Sequence, residues 1–300
     1  MVQTVTGPVS SADLGLTLVH EHLLIDMYEA SLNAAGVLLD EVAAIEELSL
    51  FRDAGGMTIV DQTTVGLHPD WAGLRRISIA TGVRIIAGTG VYWHRFRPAW
   101  VDSMDESAIA ARFVSELVEG VGPDHIRAGV IGEIATGHRS IDAIEARVFR
   151  AAATAQSATG APIATHAIFT RIGLAQLDLL EAAGADPTKV LIGHADTTPD
   201  ESYHRAVLER GAWLGFDTIG QTDKATDEWR ADRLADYAAL GFLDRILISS
   251  DVCKRPALVR YGGGGYTHVL LDFVPRLQAR GFTSAEIDRL LIANPRRFLE

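Results

Sequence analysis

The sequence predicts a (β/α)₈ barrel, and three observations carry that expectation. Short β-rich apolar runs alternate with longer helical patterns eight times along 300 residues. No composition break, linker or low-complexity tract divides the chain, so residues 1–300 read as a single domain. Seven of the eight runs stay apolar until their last residues, where an ionisable group appears. In a barrel those carboxyl ends form one mouth, on which side chains converge. A doubly wound open sheet is the alternative. It would place a glycine turn after the first strand, where this chain has His20-Glu21-His22.

The expected strands are Leu16–His22, Met57–Thr63, Arg84–Thr89, Arg127–Ile134, Pro162–Ala167, Val190–Ala195, Ala212–Asp217 and Arg245–Asp251. Helix boundaries are marked as well. Asp40 caps apolar positions Val42, Ile45, Leu48 and Phe51, which recur at helical spacing up to Gly55-Gly56. Asp142 with Glu145 forms a capping-box pattern closed by Gly160. Thr198-Pro199-Asp200-Glu201 predicts a helix with Thr198 as its cap and Gly211 as its end. Thr283 with Glu286 opens a last helix that should end before Asn294-Pro295.

Composition narrows the function. The net charge of −12 argues against nucleic acid, and no apolar run approaches the ~20 residues of a membrane span. The first residues lack the basic start and apolar stretch of a secretory signal, so a soluble cytoplasmic protein is expected. The single cysteine, Cys253, excludes an intramolecular disulfide and a cysteine-rich zinc site. Only three lysines are present, Lys189, Lys224 and Lys254, against twenty-four arginines.

The strand-end groups are His20 and His22, Asp61, Glu133, His166, His194, Asp217 and Asp251. Residues i and i+2 share a strand face, so His20 and His22 point inward together. With His166 and His194 they present four imidazoles, to which Glu133 and Asp251 add two carboxylates. Six nitrogen and oxygen ligands without a thiolate suit zinc, manganese, cobalt or iron, in a site for two ions. Asp61 and Asp217 read as helix caps or as partners that orient a ligand. Glu21 has no evident role. The loop after strand three offers Tyr92, Trp93 and His94. The loop after strand eight carries Lys254, Arg255, Arg260 and Tyr261, cations suited to an anionic substrate group.

These residues resemble the phosphotriesterase-like family of the amidohydrolase superfamily. The resemblance rests on Thr4-Val5-Thr6-Gly7-Pro8, Leu16-Thr17-Leu18-Val19-His20-Glu21-His22, Gly132-Glu133-Ile134 and Thr165-His166. It continues through Ile192-Gly193-His194-Ala195-Asp196, Ser250-Asp251, Tyr261 to His268 and Asn294 to Leu299. It implies a distorted barrel with a short N-terminal β extension, a C-terminal helix, two divalent metals (zinc for preference) and a homodimer. His20, His22 and Asp251 would hold the more buried ion, His166 and His194 the more exposed one. Glu133 would bridge both together with a hydroxide. Better-known members bridge with a carboxylated lysine, which this chain cannot supply before Lys189. The implied chemistry is hydroxide attack on a lactone or carboxylic ester, with Asp251 as proton acceptor and weak triester hydrolysis beside it. A phosphotriesterase proper and a non-catalytic ligand-binding barrel are the alternatives. A Schiff-base enzyme would need a lysine in the mouth, where the sequence places only Lys254.

Overall fold

The computed structural model describes residues 1–300, the side chain of Ala30 excepted. All eight expected strands form. They are β1 (Thr17–Glu21), β2 (Thr58–Asp61), β3 (Arg84–Thr89), β4 (Val130–Ala135), β5 (Ile163–His166), β6 (Val190–Gly193), β7 (Trp213–Phe216) and β8 (Ile246–Ile248). They pair in parallel in sequence order. The seam between β8 and β1 is closed by the Asp251 amide donating to the His20 carbonyl at 3.1 Å. The His20 amide donates in turn to Ser249 Oγ, just past β8, at 3.1 Å.

Alternation along the strands builds two cores. Val19, Val60, Ile86, Val130, Ala164, Leu191, Trp213 and Leu247, one from each strand, form an inner layer that Phe298 and Leu299 plug from below. Leu18, Ile59, Ile85, Ile131, Ile163, Ile192, Leu214 and Ile246 belong to the larger core packed against the helices. Register shifts on β1, between Leu18 and Glu21, and on β4, between Ile131 and Ile134, interrupt the alternation. They let Val19 and Val130 join the inner layer while His20 and Glu133 join one cluster above it. Irregularities of this kind re-aim side chains beside functional sites.

The helices follow their caps. Asp40 accepts from the Val42 and Ala43 amides at the start of α1 (Glu41–Asp53). After β2 comes α2 (Trp71–Thr81), and after β3 comes α3 (Glu106–Val118). Asp142 and Glu145 complete a capping box on α4 (Ala143–Thr159), which stops at Gly160. Next are α5 (Ile172–Ala182), α6 (Glu201–Glu209) and α7 (Asp227–Ala239). The cap of α6 is Asp200, which accepts from the Tyr203 amide, so Thr198 is corrected as its cap. Pro199 then precedes the helix, and its fixed φ extends the approach. Thr283 caps Ser284–Asp288 as expected. That helix does not end before Asn294: a π-turn at Arg289–Ala293 leads directly into Asn294–Leu299. Pro295 lies in the first turn of this last segment, where its missing amide proton is no loss. The N-terminal extension is a hairpin of Val2–Thr4 and Gly7–Val9. Among the described residues no helix is long and apolar enough to cross a membrane.

Candidate active site

His20, Glu133 and His166 lie within the observed strands, and the other functional groups sit just past the ladder. His22, His194 and Asp251 all follow the last paired residue of β1, β6 and β8. His194 and Asp251 adopt left-handed φ values of 55° and 50°, a region that side-chain-bearing residues rarely enter. Specific bonds hold them there. The His194 amide donates to Asp217 Oδ1 at 2.7 Å, and the Asp251 carbonyl accepts from Gln221 Nε2 at 2.7 Å.

Six side chains converge. His22 Nε2 lies 3.5 Å from Glu133 Oε1 and 3.4 Å from Asp251 Oδ1. Glu133 Oε2 lies 2.9 Å from His166 Nδ1 and 3.5 Å from both His20 Nε2 and His194 Nε2. Glu133 therefore belongs to two ligand-like triads, with His20 and His22 on one side and His166 and His194 on the other. His20 Nε2 is buried without a hydrogen-bond partner. Two donors each about 2.1 Å from one zinc ion at a tetrahedral angle stand about 3.4 Å apart, so the spacing fits a cation. The donor set is one that a divalent metal accepts.

The electrostatics agree. Burial alone would depress the imidazole of His20, but Glu133 and Asp217 outweigh it and raise its pKa well above the usual value. For His22 burial is outweighed by Asp251 and Glu133, and for His194 by Asp217; each is raised to about 9. His166 goes the other way, held at about 4 by burial. Burial would raise the Glu133 carboxyl, yet His166 and His20 bring it well below its ordinary value. A divalent ion competes with protons for these nitrogens, so metal uptake releases protons and strengthens as pH rises.

Around this cluster the structure assigns the acids that sequence left open. Asp217 receives His20 Nδ1 at 3.1 Å and His194 Nδ1 at 2.9 Å, which leaves both Nε2 atoms facing Glu133. Asp61 accepts from the Leu23 and Thr63 amides at 2.7 and 3.0 Å, fixing the turn after His22. Glu21 accepts from the Ser249 hydroxyl and the Ser250 and Val252 amides at 2.7, 2.8 and 2.8 Å. It thus ties β1 to the segment carrying Asp251, although burial raises its carboxyl to about 7. Glu21→Ala would leave three buried donors unpaired, at about 1–3 kcal/mol each. We expect a loss of about 3 kcal/mol or more in chemical denaturation of the metal-loaded protein. An unchanged midpoint would show that these bonds do not support the seam.

A cavity of about 300 Å³ opens over the cluster, lined among others by Tyr92, Trp93, His138, Phe169, Lys224, Cys253 and Lys254. Tyr92 approaches His166 with its hydroxyl 3.3 Å from Nδ1, and burial keeps its proton on. Burial pushes the Cys253 thiol up. Three expected pocket groups lie elsewhere. Arg255 donates to the Val37 carbonyl at 3.0 Å, and Arg260 faces Asp40 and Glu46 at 3.9 and 3.7 Å. Tyr261 is exposed beneath the Arg260 guanidinium. The chain turns away after Lys254 because Glu47 captures the Val259 and Arg260 amides.

Lys224 was missed as a mouth residue, and the expectation that only Lys254 reaches the mouth is corrected. Its ammonium lies 3.3 Å from Asp251 Oδ2, which also accepts from Gln221 Nε2 at 3.1 Å. Burial would lower the lysine, and Asp251 overrides it. The loop bearing both residues is braced by Arg230, which is fully buried. Its guanidinium donates to Asp196 at 2.6 Å, Asp227 at 2.8 Å, Thr218 at 2.7 Å and the Ala225 carbonyl at 2.7 Å.

A parallel eight-stranded barrel with a histidine–carboxylate cluster able to hold divalent metal at its carboxyl mouth defines the class. Within it, the chain belongs to the phosphotriesterase family, which it matches over residues 1–299. It is 34% identical over 287 residues to the phosphotriesterase homology protein of Escherichia coli (strain K12), covering 95% of this chain and 98% of that protein. The crystal structure of that E. coli protein, with phosphate in its active site, superposes with a TM-score of 0.93 at 33% identity, covering 96% and 99% of the two chains. An N-acetyltaurine hydrolase from Tetraodon nigroviridis is 33% identical over 340 residues, covering 99% and 97%. A lactonase from Listeria monocytogenes superposes with a TM-score of 0.93 at 26% identity, covering 100% and 98%.

Proposed function

We propose that the chain is a binuclear metal-dependent hydrolase whose substrate is a lactone or carboxylic ester bearing an acidic group. The observation that carries this reading is Glu133 standing between two histidine pairs, the place of a bridging carboxylate. When bound, two divalent ions, zinc for preference, would supply hydroxide near neutral pH and polarise the substrate carbonyl. His20, His22 and Asp251 would hold one ion, His166 and His194 the other.

Asp251 takes the proton released as water adds to the carbonyl, and returns it to the departing oxygen. Gln221 and Lys224 fix Oδ2 of that carboxylate, so Oδ1 keeps its orientation toward His22. Tyr92 offers a neutral hydroxyl donor at the pocket wall. Lys224 is engaged by Asp251, which leaves Lys254 as the cation free to hold an acidic substituent. The similarity to an N-acetyltaurine hydrolase supports a second reading, cleavage of an acyl amide by the same groups.

A screen of metal-loaded protein tests this, using lactones, phosphorylated lactones, carboxylic esters, N-acyl amino acids, N-acetyltaurine and one phosphotriester. Turnover is expected on the carbonyl substrates, with the triester slowest. A triester hydrolysed fastest would make phosphotriesterase the main activity, and no turnover at all would leave a binding protein. Lys254→Ala should raise KM for acid-bearing substrates by roughly ten- to a hundred-fold, the strength of one charged hydrogen bond, with little change for neutral ones. Equal effects on both would return Lys254 to a solvated loop.

A further inference from the structure

Beside the reaction cavity lies a groove of about 510 Å³ lined by Trp93, His94, His138, Arg139, Asp142 and Glu145. Trp93 and His138 line both spaces, so the two share that wall. The acids of the groove are already engaged. Glu145 receives the Gly137 and Asp142 amides at 3.1 and 2.9 Å and His94 Nδ1 at 3.0 Å. Asp142 caps α4 through Oδ1 and faces Arg97 at 3.6 Å through Oδ2.

Two donors of the lining are not engaged. Trp93 Nε1 is buried without a partner. Among the described residues, Arg139, in the lining, has no ion pair or hydrogen bond, and Arg95, which lines the neighbouring cavity, rests over the ring of the groove's Trp93 at 5.4 Å. Arg97, two residues from Arg95, is by contrast paired with Asp102 at 2.7 Å. The groove therefore offers one free cation, Arg139, with a second, Arg95, against its Trp93 wall, and its complement is an anion.

Its place in the barrel gives that anion a position on the substrate. Arg95 follows β3 and Arg139 follows β4, whereas Lys254 follows β8. In a ring of eight strands β4 and β8 are opposite one another. Free cations thus face each other across the mouth, with the histidine–carboxylate cluster between them. We propose that this groove is a second anion subsite, and that the substrate carries an anionic group at each end with the scissile bond between. The assignment rests on the hydrolase reading for the bond cleaved, but the subsite itself can be tested without turnover.

Equilibrium titration of the metal-loaded protein with α,ω-dicarboxylates from succinate to suberate, each against the monocarboxylate of equal length, is the experiment. A dicarboxylate of one favoured length should bind at least ten-fold tighter than its monocarboxylate. In the double variant R95Q/R139Q that gain should vanish, dicarboxylates falling to the affinity of monocarboxylates. Lys254→Ala should weaken both series. Arg95 and Arg139 are exposed and unpaired, so the double variant should melt with the wild type; Arg139→Lys, which keeps the charge, should retain part of the gain. A gain that survives R95Q/R139Q, or no preferred length, overturns the subsite. A length-dependent gain without hydrolysis of any ester, lactone or amide would overturn the reaction and leave the subsite standing.

Discussion

Asp251→Asn is expected to lower kcat by roughly 10²–10⁴, the range for removing an acid–base group, while metal content stays near that of the wild type. The backbone permits the exchange, since asparagine tolerates the left-handed conformation that Asp251 adopts at φ 50°. One carbonyl oxygen also remains. If it faces His22, the new amide nitrogen meets Gln221 Nε2 and Lys224 Nζ, two donors at 3.1 and 3.3 Å from the present Oδ2. If the amide flips, those donors are satisfied and the nitrogen turns toward the ligand cluster. Neither arrangement accepts a proton. His22→Ala makes the contrast, because it removes a ligand rather than a base and should deplete metal first. Metal analysis beside steady-state kinetics separates the two variants. Near-wild-type turnover in Asp251→Asn would mean that another group takes the proton.

The site was legible where its signal was local. His20 and His22 share a strand face by spacing alone, and apolar runs ending in histidine or acid mark the carboxyl mouth whatever the loops do. The capping boxes at Asp142 and Thr283 were equally local, because their partners lie three residues apart. The missed features depend on contacts distant in sequence. Glu21 meets Ser249 more than two hundred residues away, and nothing in His20-Glu21-His22 announces the partner. Lys224 enters the mouth because buried Arg230 folds its loop against Asp196 and Thr218, an interaction without a periodic signature. Arg255 and Arg260 failed as pocket groups for a related reason. Glu47, on α1, captures the backbone that carries Arg260 and turns the chain out of the mouth. The register shifts on β1 and β4 are likewise silent in the pattern, though they let His20 and Glu133 meet.

Glu133→Gln should release at least one metal equivalent, and wild-type protein stripped of metal should regain activity with metal alone, indifferent to bicarbonate. The two results follow from one residue. A carbamate bridge forms only when a neutral lysine amine captures carbon dioxide, and no lysine precedes Lys189 in this chain. Glu133 is an anion without that step, its carboxyl held well below the ordinary range because His166 and His20 overcome the cost of burial. A carboxylate and a carbamate each bring one negative charge and two oxygens, so the balance against two divalent ions is the same. What differs is the arm, which is shorter here. Oε1 faces His22 at 3.5 Å while Oε2 faces His20, His166 and His194, so the two oxygens together reach all four imidazoles. Glutamine keeps nearly the same volume but carries no charge, and its amide nitrogen cannot bind a cation. It therefore removes the carboxylate shared by both triads and leaves the His166–His194 pair without an anionic partner. Metal analysis after dialysis should read about two equivalents for the wild type and one or fewer for Glu133→Gln. Reconstitution rates should superpose with and without bicarbonate. Two retained equivalents in the variant, or a bicarbonate-dependent wild type, would show that a different group bridges the metals.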